Sequence, residues 1–208
     1  EILTDAYGEG LQSILNMRRH DLVGILNGID NETINPETDP DLSYHFNSSN
    51  VDEMKMKNKL ALQKEVGLPQ NADIPLIGIV SRLTWQKGLD LIINRFEELM
   101  KREVQVVVLG AGDAKYEEPL KNFASRYPDK FSLNLKYDGA LAQRIYASTD
   151  MFLMPSLFEP CGLSQMMALR YGSVPIVRET GGLKDSVVPF NEYENTGTGF
   201  SFANYNAH

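Results

Sequence analysis

Apolar residues in the second half of the chain fall into short blocks separated by longer stretches. The blocks are almost wholly apolar or alternate with polar residues, whereas the stretches repeat an apolar residue every three or four positions. The first pattern predicts strands and the second predicts helices. The predicted strands are residues 76–80, 104–109, 131–137, 151–154 and 174–177, and the predicted helices are residues 89–100, 116–127, 141–148 and 162–171. Buried strands that alternate with helices indicate an α/β fold with a parallel sheet flanked by helices on both faces.

The pattern before residue 75 is weaker. Helical spacing of apolar residues predicts a helix near residues 11–18 and another over residues 52–66. Between them, residues 23–26 form a short apolar run that ends in an Asn-Gly turn signal. Residues 34–50 are rich in Pro, Asp, Asn and Ser, so we expect an irregular loop there.

Charge and composition exclude several classes of protein. The formal net charge of −8 disfavours a broad electrostatic surface for nucleic acid. The single cysteine, Cys161, cannot form an intrachain disulfide, which favours a reducing, cytoplasmic compartment. No apolar run approaches the length of a membrane span, and no signal segment opens the chain. We therefore expect a cytoplasmic protein that binds neither nucleic acid nor membrane.

Residues 155–163, Pro-Ser-Leu-Phe-Glu-Pro-Cys-Gly-Leu, connect a predicted strand to a predicted helix. Such a turn directs the free N–H groups of the helix toward the carboxyl edge of the sheet, where phosphate is favoured. A carboxylate is electrostatically unfavourable beside phosphate, so Glu159 is expected to contact another part of a ligand; its alternative is a surface charge. Cys161 is either an acidified nucleophile or, since no Cys-His pair is evident, a small packing residue.

The first predicted strand runs into a turn that carries two cations, Arg82 and Lys87. A guanidinium offers a planar fork of donors and an ammonium offers a mobile point charge, so the pair suits a diphosphate. The alternative is that both are ordinary surface residues. Because this turn and residues 155–163 lie at the same edge of the predicted sheet, we favour a shared ligand.

Two further motifs are weak. Residues 110–112, Gly-Ala-Gly, resemble the start of a dinucleotide fingerprint, but Lys115 stands where the third glycine belongs. They still suit a tight turn beside a nucleoside. The Asp-x-Asp sequence of residues 39–41 matches a pattern that holds divalent metals in some sugar transferases. It lies in the predicted loop with only His45 nearby, so we expect no metal there.

Two more segments are expected at the same sheet edge. Tyr137 ends the predicted strand 131–137 and offers either a stacking face for a base or packing at the rim of the core. Residues 180–183, Thr-Gly-Gly-Leu, follow the last predicted strand and are predicted to form a turn.

Together these segments carry a family resemblance. The sequences Arg-Leu-Thr-Trp-Gln-Lys-Gly-Leu-Asp at 82–90, Glu-Pro-Cys-Gly-Leu at 159–163 and Thr-Gly-Gly-Leu-Lys-Asp at 180–185 resemble those of bacterial glycogen synthases. These enzymes and the starch synthases form glycosyltransferase family 5. Gly-Ile-Leu-Asn-Gly-Ile-Asp at 24–30 resembles the family's entry into its second domain, so the resemblance runs from about residue 8 to the end.

The resemblance implies a retaining enzyme of GT-B architecture that transfers glucose from ADP-glucose to the end of an α-1,4-glucan. This chain resembles its C-terminal half, a Rossmann-like domain that binds the donor. Residues 1–22 would be a remnant of the preceding N-terminal domain and linker, and residues 23–208 the donor-binding domain, truncated at its end. A fragment of this kind is expected to bind ADP or ADP-glucose but not to catalyse, because the glucan acceptor is held through the missing N-terminal domain.

The resemblance also implies roles for particular residues. Arg82 and Lys87 would hold the diphosphate and stabilise the leaving group, without a metal or other cofactor. Glu159 would bind hydroxyls of the transferred glucose and Tyr137 would lie against adenine. The remaining expected contacts with glucose, phosphate or the domain junction are Asn27, Cys161, Gly162, Leu163, Ser164, Thr180 and Gly181.

The chain departs from the family pattern at Leu157, where many members have Arg, and at Ser164, where Thr also occurs. Two alternative functions differ in kind from the enzyme. A non-catalytic nucleotide- or glucan-binding module is disfavoured by the intact Arg82, Lys87 and Glu159. A nicotinamide-dependent oxidoreductase is disfavoured by Lys115 and by the lack of an acidic ribose-binding residue at the expected offset.

Overall fold

The computed structural model describes residues 2–207. Glu1, where the first predicted domain begins, and His208, where the second one ends, lie outside the described residues. The described helices are α1 (Gln12–Met17), α2 (Val51–Glu65), α3 (Leu89–Met100), α4 (Ala114–Arg126), α5 (Gly139–Ser148), α6 (Ser164–Arg170) and α7 (Gly181–Ser186). The described strands are β1 (Leu76–Val80), β2 (Gln105–Leu109), β3 (Phe131–Asn134), β4 (Met151–Met154), β5 (Val174–Arg178) and β6 (Phe200–Phe202). A single 3-10 turn, Trp85–Lys87, stands between β1 and α3.

The six described strands form one parallel sheet in the order β3-β2-β1-β4-β5-β6. The chain moves outward from β1 to β3 and then crosses back to place β4 on the other side of β1. In open parallel sheets, ligands bind beyond the carboxyl ends of the strands at such a switch point. The topology therefore places the expected site between the loops that follow β1 and β4.

The hydrophobic core lies on both faces of the sheet, because successive residues of a strand point to opposite sides. In β2, Val106 and Val108 pack with α3 and α4, whereas Val107 and Leu109 pack with α2, α5 and α6. Strands covered on both faces are apolar throughout, which explains the uninterrupted runs in the sequence.

The segment before β1 joins the core next to α5 and α6. The loop of residues 34–50 buries three apolar side chains, those of Ile34, Leu42 and Phe46. Asp39 is also buried, and its carboxylate accepts a hydrogen bond from the Tyr171 hydroxyl. The Asp-x-Asp segment thus has a structural role, fastening this loop to the end of α6.

Two predicted elements were wrong in extent or type, and one strand was missed. Strand β3 ends at Asn134, so Tyr137 lies in the following loop rather than at the end of a strand. The segment predicted as a turn at residues 180–183 begins helix α7 instead. Thr180 has an extended backbone and precedes the helix, which starts at Gly181. The sequence pattern did not reveal β6, which has three residues and lies at the edge of the sheet.

Candidate active site

A cavity of about 500 Å³ lies at the carboxyl edge of the sheet, beside β1 at the switch point. It is lined by the ends of β1 and β2, by the loop of residues 136–139, and by side chains of α5 and α6. Its size is typical of a site for a nucleotide-sized ligand. Three predicted site residues, Arg82, Tyr137 and Ser164, line this cavity.

These three residues offer different chemistry to the cavity. Arg82 lies two residues after the end of β1 and is exposed. Tyr137 is 100% exposed, so its ring presents a free face at the rim. Ser164 is the first residue of α6, and its hydroxyl accepts a hydrogen bond from the Tyr146 hydroxyl at 3.1 Å. The cavity therefore combines a cation, an aromatic face and a fixed hydroxyl.

The rim of the cavity beside Tyr137 carries an ion pair that the sequence analysis did not select. Lys136 Nζ lies 2.8 Å from Asp138 Oδ2. Asp138 also accepts the main-chain N–H of Leu141 at 2.9 Å and so caps α5. Hydrogen bonds from Lys136 and from Leu141 lower the pKa of Asp138, which keeps this carboxylate charged.

Lys87 and Glu159 are paired with each other. Lys87 Nζ lies 2.5 Å from Glu159 Oε2, and the two side chains are only 18% and 11% exposed. Both residues lie outside the lining of the large cavity, although Lys87 shares its loop with Arg82. The structure therefore brings the predicted catalytic cation and carboxylate into direct contact.

The backbone holds the two loops together at this point. The main-chain N–H of Leu157 donates to the oxygen of Gln86 at 2.9 Å. Gly88 has φ +70°, and a Cβ added there would lie 2.0 Å from the oxygen of Pro155. Only glycine permits this approach. The two loops are therefore joined by main-chain contacts next to Lys87 and Glu159.

The turn of residues 161–163 is held from beneath by Gln165, a buried residue of α6. Its amide nitrogen donates to the main-chain oxygens of Cys161 at 3.1 Å and Gly162 at 2.5 Å, and to the Ser186 hydroxyl at 2.9 Å. Leu163 is partly exposed at the end of the turn. Gln165 could not be selected from the sequence, because a single glutamine in a helical pattern is usually a surface residue.

Thr180 and Gly181 support the same turn from the other side. Thr180 is buried, and a Cβ added to Gly181 would lie 2.1 Å from the oxygen of Glu159. The main-chain N–H of Gly182 donates to the oxygens of Glu159 at 3.1 Å and Pro160 at 3.2 Å. The start of α7 therefore fixes the backbone that carries Glu159.

Asn27 and Cys161 meet in a second, smaller cavity. Its volume is about 210 Å³, and it lies between residues 25–27, the turn after β4 and α7. Five of the predicted site residues thus line one or the other of two cavities, and the Lys87–Glu159 pair lies on the loops that carry Arg82 and Cys161. Sequence spacing predicted one continuous site and could not show this division.

The remaining motifs have structural roles. In the segment 110–112, the main-chain oxygen of Ala111 accepts a hydrogen bond from the N–H of Leu83 at 3.0 Å, so the glycines pack against the extension of β1.

Across residues 2–207, no group of three or more His, Cys, Asp and Glu side chains is arranged to hold a metal ion. None of the helices in that same range combines the length and the apolar composition of a membrane span.

Comparison with known proteins identifies the family. Residues 63–208, most of the chain, match the family described as "Glycosyl transferases group 1". The chain belongs to the group 1 glycosyl transferases. The predicted enzyme class is confirmed at this level.

This group 1 glycosyl transferase is also similar to individual proteins along its whole length. It is 58% identical over 208 residues to a glycogen synthase of Clostridium acetobutylicum and 55% identical over 208 residues to one of Streptococcus agalactiae. Both comparisons cover 100% of this chain, but they cover only 43% of the Clostridium protein and 44% of the Streptococcus protein. The resemblance inferred from the motifs is confirmed, and the chain spans less than half the length of these relatives.

Solved structures give the same result. The glycosyl transferase superposes with a TM-score of 0.91 and 41% identity on the catalytic domain of starch synthase IV from Arabidopsis thaliana bound to ADP and acarbose, over 99% of this chain and 43% of that one. An Anabaena protein, Alr3699/HepE, solved with UDP and glucose, shares the fold at a TM-score of 0.63 and 15% identity, over 100% of this chain and 57% of that one. The predicted α/β architecture, one half of a GT-B glycosyltransferase, is confirmed.

Proposed function

We propose that the chain is the donor-binding domain of a retaining ADP-glucose:α-1,4-glucan glucosyltransferase. The observation that carries this proposal is the cavity at the switch point, which has Arg82 and Tyr137 in its lining and Lys87 on the adjoining loop. The similarity to a starch synthase catalytic domain bound to ADP supports the choice of nucleotide. In this proposal residues 1–22 belong to the linker and the preceding domain.

The large cavity is proposed to hold the nucleoside. Within residues 2–207, two buried atoms of its lining, Ser81 Oγ and Gln143 Oε1, have no hydrogen-bond partner. A buried polar group without a partner is costly, so these atoms suit a ligand that brings donors and acceptors. Tyr137 would stack on the base, since every base offers a π-face to an exposed aromatic ring.

The cations Arg82 and Lys87 are proposed to hold the diphosphate. Glycosyl transfer passes through an oxocarbenium-like state while negative charge grows on the leaving phosphate. Positioned cations stabilise that state more than the ground state, and loss of one such donor typically costs roughly 3–4 kcal/mol of barrier. With two side-chain cations in this role, the proposed transfer requires no metal ion or other cofactor.

The carboxylate of Glu159 is proposed to accept hydrogen bonds from the hydroxyls of the transferred glucose. Main-chain groups of residues 161–163 and the Ser164 hydroxyl would complete the sugar and phosphate contacts. Thr180 and Gly181 would act through the backbone of Glu159, and Asn27 would contact substrate from the side of the domain junction. The glucan acceptor would be held through an N-terminal domain of a longer, cytoplasmic protein.

A calorimetric titration of the purified chain with ADP, UDP, ADP-glucose and NAD tests this proposal. We expect binding of ADP and ADP-glucose and a weaker or absent response to NAD. Binding of NAD in preference to ADP would contradict the proposal and favour an oxidoreductase. Robust glucan elongation by this chain alone would contradict the assignment of the acceptor to a second domain.

A further inference from the structure

The two side chains proposed to hold different parts of the donor form an ion pair with each other. Lys87 Nζ contacts Glu159 Oε2 at 2.5 Å, with both side chains largely shielded from solvent. The contact of Gly88 with Pro155 and the hydrogen bond from Leu157 to Gln86 fix the main chains on either side. This pair is therefore a built feature, unlike an exposed ion pair between two mobile side chains.

The ion pair disfavours the binding of a ligand that offers a new partner to Lys87 but none to Glu159. A free nucleoside diphosphate offers phosphate oxygens to Lys87 but no group to Glu159. Its binding would pull the ammonium away and leave a largely buried carboxylate beside a phosphate of like charge, which is unfavourable. Arg82, which is exposed and lines the large cavity, can bind the diphosphate in either case.

A sugar nucleotide offers a new partner to both Lys87 and Glu159. Its phosphates take the ammonium of Lys87, and its sugar hydroxyls donate to the carboxylate of Glu159, so that each buried charge regains a partner. Hydrogen bonds to an ionised acceptor are stronger than neutral ones, which makes the exchange favourable. The ligand with the sugar attached is thus the one that fits the charges of this site.

We propose that Glu159 determines specificity for the sugar nucleotide over the free nucleoside diphosphate, through its ion pair with Lys87. In this role Glu159 weakens the binding of the product diphosphate and so promotes its exchange for fresh donor. This inference rests on the proposed function, because it takes the diphosphate and sugar contacts from it.

The test is a calorimetric comparison of ADP and ADP-glucose binding to the wild-type chain and to Glu159→Gln. Glutamine keeps the shape and hydrogen-bonding capacity of the side chain but removes its charge. We expect ADP to bind about tenfold more tightly to this variant at low salt, since a like charge is removed, and ADP-glucose to bind equally or more weakly. Glu97→Gln is the matched control, because Glu97 is an ion-paired carboxylate of α3 outside the site, and it should leave the affinity ratio unchanged.

The outcomes separate this inference from the proposed function. If the wild-type chain binds neither ligand, the proposed function fails and the inference fails with it. If the wild-type chain binds both but Glu159→Gln weakens ADP, leaves it unchanged, or tightens both ligands equally, the inference alone is overturned. Glu159→Ala is measured as a second variant, and the thermal unfolding of each variant is recorded. If Glu159→Gln disturbs the turn, the inference requires Glu159→Ala to bind ADP more tightly than the wild type and ADP-glucose equally or more weakly.

Discussion

Replacing Gly88 with alanine tests whether contact between two loops holds the site together. Gly88 has φ +70°, and an added Cβ would lie 2.0 Å from the main-chain oxygen of Pro155. Gly67 provides the matched control, because it has φ +78° but no atom within 4 Å of its added Cβ. Both substitutions impose the same backbone strain, and only the first imposes a steric clash.

The expected magnitudes follow from these two terms. A non-glycine residue in the left-handed region costs about 1 kcal/mol or slightly more, so Gly67→Ala should destabilise the protein by about that amount. At Gly88 the clash with a main-chain oxygen adds a term comparable to overpacking, about 1–3 kcal/mol. We therefore expect Gly88→Ala to cost about 2–4 kcal/mol in total, with the loops after β1 and β4 forced apart.

Urea unfolding and ADP titration together measure the effect. With a slope of about 2 kcal/mol per molar urea, the midpoint should fall by about 1–2 M for Gly88→Ala and by about 0.5 M for Gly67→Ala. ADP affinity should change for Gly88→Ala and not for Gly67→Ala, because only the first substitution displaces the loop that carries Arg82 and Lys87 from the loop that carries Glu159. Equal midpoints for the two variants would refute the claim that this contact organises the site.

Three further predictions concern single side chains. Lys55 of α2 is half-buried, and its ammonium donates to the main-chain oxygens of Ala147, Thr149 and Tyr171. Burial of the ammonium lowers the pKa of Lys55 from the ordinary value of 10.5 to about 7. The unfolded chain therefore binds more protons between these pH values, so the free energy of unfolding should rise from about pH 7 to about pH 10 by up to about 1.4 kcal/mol per unit. Thermal melts of Lys55→Met should lack this rise. Tyr137→Ala should weaken ADP binding about tenfold, because the stacking of the ring on the base is lost. The melting temperature should stay unchanged, because the ring is fully exposed. An ADP affinity equal to that of the wild type in calorimetry would contradict the stacking role. Lys87→Ala should weaken ADP binding, and the loss measured by titration should shrink at high salt; unchanged affinity would count against the diphosphate role.

Most of the regular structure could be predicted from the local pattern. Strands such as β2 are apolar throughout because both faces of the sheet are covered, and α3 has a continuous apolar face, so each carries a strong signal. The short edge strand β6 could not be predicted, because three residues are too few to show a period. Helix α7 begins with two glycines, which usually indicate a turn, so its type depended on tertiary contacts with the turn after β4.

Residue identity along the chain determined the chemistry available to this protein: two cations after one strand, a carboxylate and a glycine-rich turn after another, and the motifs that place it among the glycosyl transferases. The tertiary structure alone decided which of these groups meet. It joined Lys87 to Glu159, which are 72 residues apart, and it placed five of the predicted site residues in two different cavities. The physical reason is that the local pattern depends on neighbouring residues, whereas the pairing of charges depends on how closely two loop backbones approach. Here the contact of Gly88 with Pro155 and the hydrogen bond from Leu157 to Gln86 hold the two loops together.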